Sequence, residues 1–390
     1  MPDLSRLDSY LADADVDGYL IDAAGDVADQ RYLSGFNAPD PYFTLYTPDT
    51  LWLLVSGLEY NRARETSDAD TVKRYADYDY MELREELGAG EARRELVASF
   101  LGEAGIGSIS VPKRFPIDTA DGLREREITV EPETDEVLSE IRATKTDTEI
   151  ERIDETQTAN EAAMAAAEEL IAAASVDGDT LRLNGEPLTA ERIKEEIEVT
   201  LLRHGCGLDE TIVAGGQQGA DPHERGHGPL PAHEPIVIDI FPKDKASKYH
   251  ADMTRTFLRG EASEAIVERF DLTNEALQAA LETIEPGVTG EAVHDAACAV
   301  YEEAGYPTLR SDPDTETGFI HSTGHGVGLE VHELPRLAPG GDELEPGHVV
   351  TVEPGLYHPD HGGIRTEDLV VVTDSGYRNL TEYHKDLIID

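Results

Sequence analysis

The chain has 390 residues and sets 81 Asp+Glu against 32 Lys+Arg, a formal net charge of −49. That charge repels polyphosphate and anionic lipid, so membranes are poor partners and nucleic acid is excluded. A hydrophobic fraction of 39% excludes both a membrane protein and a disordered acidic tail, and the length predicts two domains.

The N-terminus, MPDLSRLDSYLADADVDGYLI, carries acids where a signal peptide needs bases, and no run of about 18 apolar residues follows anywhere. A soluble, cytoplasmic protein is expected. Leu4 to Ala14 has helical spacing, and Gly18 to Ile21 and Leu51 to Val55 read as short buried strands. A helix from about Gly90 to Ala104 leads into strand-like Ile106–Val111, with Ile128–Val130 as another strand. Together these predict a small α/β domain over residues 1–140, closed by an acidic helix Thr134–Ile141.

The texture changes at Asp147, where a long alanine-rich amphipathic helix begins with Thr148 as its expected cap. A polar stretch Val176–Pro187 is expected on the surface, followed by a helix from Thr189 to about His204. Strand-like Ile212–Ala214, Pro235–Phe241 and Tyr249–Leu258 come next. The order then recurs: helices Ser263–Ile284 and Gly290–Ala304, then β-rich runs Gly328–Val331, Val349–Tyr357 and Ile364–Val372. Two helices followed by strands, twice over, hint at an internal duplication of residues 141–390 around a central site. Cys206 and Cys298 are too few for a disulfide framework and read as buried apolar residues.

The chemistry-bearing residues gather in this second half. Asp239 ends an apolar run, and Asp252 follows thirteen residues later in HADMTRTF. A hairpin would turn both carboxylates to one face. In HSTGHGVGLEVHE, His321, His325 and His332 stand among glycines, with Glu330 and Glu333 adding carboxylates. Those glycines disfavour a helical zinc pair, and their spacing does not match a dinucleotide-binding loop. Glu353 in VVTVEPGLY and Glu367, beside Arg365, in GGIRTEDLVVV lie on apolar β runs. A carboxylate buried there is costly unless it is paired or bound to metal, so the set points to a metal site.

The settings IVIDIF, HADMTRTF, HSTGHGVGLEVHE, TVEPGLY and GIRTEDL, in that order, resemble the pita-bread metallopeptidases of the creatinase, aminopeptidase P and prolidase type. RYLSGF (Arg31–Phe36) resembles the creatinase-type N-terminal domain. The resemblance implies an α/β fold, with a creatinase-like domain over 1–140 and a pita-bread catalytic domain over 141–390, and it lies closest to Xaa-Pro dipeptidase. It implies Asp239, Asp252, His325, Glu353 and Glu367 as ligands of two divalent ions, with Asp252 and Glu367 shared between them. Manganese is the favoured metal, with Co, Fe or Zn as other options. Glu353 is the implied proton shuttle, while His332, His223, Arg365 and His321 match positions that touch substrate or support the ligands. A homodimer and a peptide substrate with proline at its second position complete the expectation.

Two departures and three rivals stand beside this reading. Ile240 and Phe241 replace the small residue and glycine usual after the first Asp, and the Pro242–His250 loop is longer than common. Aminopeptidase P action on longer peptides, an ectoine-type hydrolase or other small-molecule hydrolase or lyase, and a non-catalytic peptide-binding relative are the alternatives. The even acidity, with only 8 lysines among the 32 basic residues, resembles proteins of salt-accumulating microbes.

Overall fold

The computed structural model describes residues 3–389, and its contacts divide the chain into two compact units, the first ending at Arg142 and the second beginning at Ala143. The first unit holds helices α1 (Ser5–Asp13), α2 (Ala28–Ser34), α3 (Tyr60–Thr66), α4 (Tyr80–Leu87), α5 (Ala89–Glu103), α6 (Ile117–Arg124) and most of α7 (Val137–Ala143). They accompany one sheet of β1 (Gly18–Ala23), β2 (Tyr42–Thr47), β3 (Thr50–Val55), β4 (Thr71–Arg74), β5 (Ser108–Val111) and β6 (Thr129–Pro132), in the order β4-β3-β2-β1-β5-β6. Leu20, Phe43, Leu54 and Ile109 from its strands pack against Leu96, Val97 and Phe100 of α5, all fully buried. Sequence periodicity found α1, α5, β1, β3, β5 and β6 but missed β2, which is as buried as β1, and the partly exposed β4; α2, α3, α4 and α6 are too short or too polar to show it.

Just beyond β6, burial pushes the Glu133 carboxyl up from the usual 4.5 to about 7. A folded-state pKa above the unfolded one means that this group's stabilisation is complete below about pH 4.5 and is lost as pH rises through about 7. Glu133→Gln keeps the neutral shape at every pH. Melting temperatures between pH 5 and 8 should therefore fall more steeply for the parent than for this variant. Parallel profiles would clear Glu133 of that role.

The second unit repeats a helix pair backed by an antiparallel sheet. Helices α8 (Asp147–Ala173) and α9 (Ala190–Arg203) pack together over β11 (Thr211–Gly215), β12 (Ile236–Ile240) and β14 (Met253–Phe257). Helices α10 (Glu264–Thr283) and α11 (Gly290–Glu303) form the second pair. Their sheet runs β16-β15-β17-β20-β21, from β15 (Gly324–Gly326), β16 (Glu333–Leu337), β17 (Val349–Val352), β20 (Asp368–Thr373) and β21 (Gly376–Asn379). Each layer has its own core: Ile193, Ile197, Ile236 and Ile238 in the first, Leu277, Ala297, Val350 and Val370 in the second. Cys206 and Cys298 are both buried and free, as expected.

Two local expectations change, at the start of α8 and in the β-rich runs, and two segments expected only as a surface stretch and a long loop prove to be ordered. The N-cap of α8 is Thr146, not Thr148: its hydroxyl accepts the Glu149 N–H at 3.4 Å, and Glu149 accepts the Thr146 N–H at 2.7 Å. The helix cannot begin earlier, because Thr144 bridges to His348 and the Lys145 N–H donates to Gly347 O. The polar stretch Val176–Pro187 is an ordered meander of β7 (Ser175–Asp177), β8 (Thr180–Leu183) and β9 (Glu186–Pro187), anchored by fully buried Leu181. The long loop after β12 carries β13 (Lys243–Asp244), which pairs with β10 (Cys206–Gly207). Finally, Gly328–Val331 is a turn rather than a strand, and both acid-bearing runs are broken at their acids. Val349–Tyr357 divides into β17 and β18 (Gly355–His358), and Ile364–Val372 into β19 (Gly362–Arg365) and β20. Pro354 has no N–H to continue the ladder of β17, which releases Glu353 from the sheet.

Candidate metal centre

The site grows from the β12–β14 hairpin. Asp239 lies opposite Thr254, and Asp252 shares the Thr254 face by the two-residue strand period, so Asp239 and Asp252 point the same way. Glu367 joins them from the other sheet: its N–H donates to Thr254 O at 3.1 Å and its Oε2 accepts the Thr254 hydroxyl at 2.8 Å. His325 comes in on β15, its backbone N–H held by Thr351 Oγ1 at 3.1 Å. Glu353, just past β17, donates its N–H to Thr323 O at 2.8 Å. Gly326 must be glycine, because a Cβ there would collide with the Leu334 carbonyl.

These side chains converge. Ligand atoms of Asp252, His325 and Glu367 lie within 4.8 Å of one another, and His325 Nε2 stands 3.8 Å from Asp252 and 3.5 Å from Glu353. The His325 Nδ1–H donates to Gly326 O at 3.1 Å, which aims the Nε2 lone pair at the carboxylates. Burial pulls the imidazole down to about 3, so it is neutral and able to ligate. Burial pushes Glu353 up to about 8. Asp252 and Glu367 rise well above the usual carboxylate range, from burial first and then from neighbouring carboxylates. Asp239 Oδ1 is buried with no hydrogen-bond partner. Four crowded carboxylates, one with an orphaned oxygen, beside a neutral imidazole outnumber the single cation next to them, and divalent cations would supply the missing positive charge. The donor set fits metal.

Arg365 is the cation already present. Its Nη2 pairs with Asp239 Oδ2 at 2.7 Å, its Nε donates to Thr254 Oγ1 at 3.1 Å, and its Nη1 donates to Tyr357 Oη at 2.8 Å. Tyr357 in turn meets His321 Nε2 at 2.9 Å, and His321 Nδ1 donates to Ser322 O. His321, pulled down to about 3 by burial, is thus a neutral acceptor in the wall of the site, and it is only partly buried. His332 sits at the rim with its ring 4.2 Å from that of His325. The loop bearing exposed His223 also borders the site, since the Pro222 carbonyl is 3.5 Å from Arg365 Nη1. Of the other acids in the histidine segment, Glu330 is exposed and Glu333 is drawn away to Lys145.

Sequence reasoning did not find Thr254, Thr351 and Tyr357. Thr254 was within reach, because it shares the face of Asp252 on a strand already recognised. Tyr357 was not, because the break at Pro354 resets the strand that carries it.

Comparison with known proteins places the chain in a family. Residues 151–374 match the model of metallopeptidase family M24, and residues 4–144 match the creatinase/prolidase N-terminal domain. An Xaa-Pro dipeptidase of Pyrococcus furiosus is 30% identical over 92% of both chains. A probable dipeptidase PepE of Mycobacterium tuberculosis is 33% identical over 75% of this chain and 73% of its own. Among solved structures, the Xaa-Pro dipeptidase from Bacillus anthracis superposes with a TM-score of 0.82 at 26% identity, covering 99% of each chain. An X-Pro aminopeptidase from Thermotoga maritima reaches 0.78 at 25% identity, covering 96% of this chain and 98% of that one.

Proposed function

The chain belongs to metallopeptidase family M24 and carries the creatinase/prolidase N-terminal domain, and from that premise we propose that it hydrolyses the Xaa-Pro bond of dipeptides. The observation that carries this reading is the 30% identity to an Xaa-Pro dipeptidase across 92% of both chains. Asp239, Asp252, His325, Glu353 and Glu367 are the proposed ligands of two divalent ions, with Asp252 and Glu367 shared. A mostly carboxylate set is hard, which favours manganese over a thiolate-loving metal. When bound, such ions supply Lewis acidity and a water acidic enough to attack an amide at neutral pH.

The protein's own groups do the rest. Glu353, freed from the sheet by Pro354, carries a proton at its carboxyl to the departing imino nitrogen. His332 and His223 at the rim hydrogen-bond the substrate and the developing oxyanion. Arg365 fixes Asp239 directly and Glu367 through Thr254, with Tyr357 and His321 behind it. The proline side of the scissile bond is a tertiary amide without an N–H, so that side of the site needs to accept a ring and offers no gain from an acceptor there.

We also propose a cytoplasmic homodimer working in concentrated salt. Among the described residues no helix is long and apolar enough to cross a membrane. At −49, self-repulsion is strong at low ionic strength, and raising salt from about 0.1 M to about 1 M shortens the screening length from about 10 Å to about 3 Å. Far-UV circular dichroism across a KCl titration should show folded signal gained over that interval; a fold fully stable in dilute buffer would defeat the salt reading.

The functional test is an assay in concentrated KCl after chelation and re-addition of Mn²⁺, Co²⁺ or Zn²⁺, with Xaa-Pro, Xaa-Pro-Yaa, Xaa-Ala and ectoine. Metal-dependent release from Xaa-Pro alone is expected. Release from the tripeptide as well would shift the reading to aminopeptidase P, in keeping with the superposition on the X-Pro aminopeptidase. A folded, metal-bound protein that cleaves no prolyl peptide would overturn it.

A further inference from the structure

Lys145 and Glu333 form an ion pair at 3.0 Å with side chains only 1% and 2% exposed. They are 188 residues apart in sequence, in a chain with only 8 lysines, and no proposed catalytic step uses either one. A pair this deeply buried costs desolvation and is weak evidence for stability by itself, so its position matters more than its charge.

That position is the root of the histidine segment. Lys145 is fixed from behind, with its N–H donating to Gly347 O at 2.9 Å and Thr144 bridging to His348. Glu333 reaches the ammonium with Oε2, while its Oε1 accepts the Glu330 N–H at 3.1 Å. The turn between them closes over the carboxylate: Gly328 N–H donates to Glu330 O, and a Cβ on Gly328 would stand 2.5 Å from Glu333 Oε2. Glu333 is also the register partner of Gly326, whose carbonyl orients His325 Nδ1–H. From the far side, Gly328 O accepts the His250 N–H at 2.8 Å, two residues before Asp252. The turn thus connects His325, His332 and the start of β14, and the Glu333 carboxylate lies inside it.

We propose that Lys145 and Glu333 are positioning residues, an internal post around which residues 326–333 fold so that His325 and His332 face the metal centre. This rests on the proposed metal centre, which gives those two rings something to face. A purely stabilising pair would affect melting alone. A positioning pair also sets metal affinity and turnover in protein that remains folded.

The test uses the full chain in concentrated KCl, with Mn²⁺ binding measured by titration calorimetry alongside kcat and KM. Lys145→Met/Glu333→Gln removes both charges together and leaves no lone buried ion. Gly328→Ala keeps both charges but forces the carboxylate to move, and it carries the test if the double variant does not fold. Folded variants should bind Mn²⁺ at least about tenfold more weakly and lose about 10–100-fold in kcat/KM. Lys145→Arg, which keeps the charge, should recover part of that loss. Parent-like Mn²⁺ affinity and kcat/KM in a folded variant would overturn the positioning role. Parent protein that binds no Mn²⁺ would instead overturn the metal centre itself, so the two failures are distinguishable.

Discussion

Glu367→Gln should abolish turnover and lower divalent-cation content below two per chain, while the metal-free protein stays folded. The amide preserves the shape of the side chain and can still accept the Thr254 hydroxyl that now meets Oε2 at 2.8 Å. It also resembles the neutral form of the carboxyl, which burial and the neighbouring carboxylates favour by holding Glu367 well above its usual range. Metal-free stability should then change little. Cation binding is different: the proposed ions would displace protons from these acids, and a Gln has no charge to offer. Losing a ligand proposed to be shared would remove several kcal/mol of charge stabilisation, more than about a thousand-fold in rate. Metal analysis of dialysed protein, melting curves with and without Mn²⁺, and the dipeptide assay decide the matter. Near-parent turnover would refute the two-ion assignment.

The outcome turns on charge balance. Asp239, Asp252, Glu353 and Glu367 bring four carboxylates to one place, and Arg365 brings one cation. Without metal, the raised carboxyl groups hold protons more tightly, which reduces the repulsion. Two divalent ions, as proposed, would displace those protons and be held by the same oxygens. One cluster would then serve both states, which would allow its acids to be buried.

The residue types of this cluster could be read from the sequence because their cost is local. An acid on an apolar run, or three histidines among glycines, stands out without any knowledge of the fold. That Asp239 and Asp252 could share a face was legible on the condition of a hairpin, and the register that pairs Asp239 with Thr254 meets that condition. What surrounds the acids was not. Whether Glu353 and Glu367 lie within strands or between them depends on where each sheet ends, and only Pro354 marks one of those ends. The Lys145–Glu333 pair spans 188 residues, and nothing near Lys145 announces that it is buried. Glu333 was grouped with the metal-site acids on proximity in sequence alone; the bulge between His325 and Gly326 shifts the register there, and Glu333 turns to Lys145. The cap of α8 was displaced by two residues for a similar reason, since the preceding segment is held by distant Gly347 and His348.

Arg365→Met should be the most damaging change outside the proposed ligands. The residue is 3% exposed, and its guanidinium serves Asp239 Oδ2, Tyr357 Oη and Thr254 Oγ1 at once, with the Pro222 carbonyl farther off at 3.5 Å. Burial opposes its charge, but Tyr357, Asp239 and Glu353 raise its pKa well above the usual value, so it is a fixed cation. Methionine fills similar space and leaves Asp239 without its ion pair, in a site where Asp239 Oδ1 already has no partner. Breaking such a buried pair costs about 3–5 kcal/mol, a fall in melting temperature on the order of 10 °C for the metal-free protein. Mn²⁺ should recover part of that loss, because the ions supply the missing positive charge, yet kcat should stay low, since Tyr357 and Thr254 have lost the donor that aligns them. Arg365→Lys separates charge from shape: it restores one cation but cannot span three acceptors with a planar fork. Stability near the parent's together with turnover at least about tenfold lower is the expected result for lysine. Full activity in Arg365→Lys would show that charge alone is required, and the alignment of Asp239 and Glu367 would then need another source.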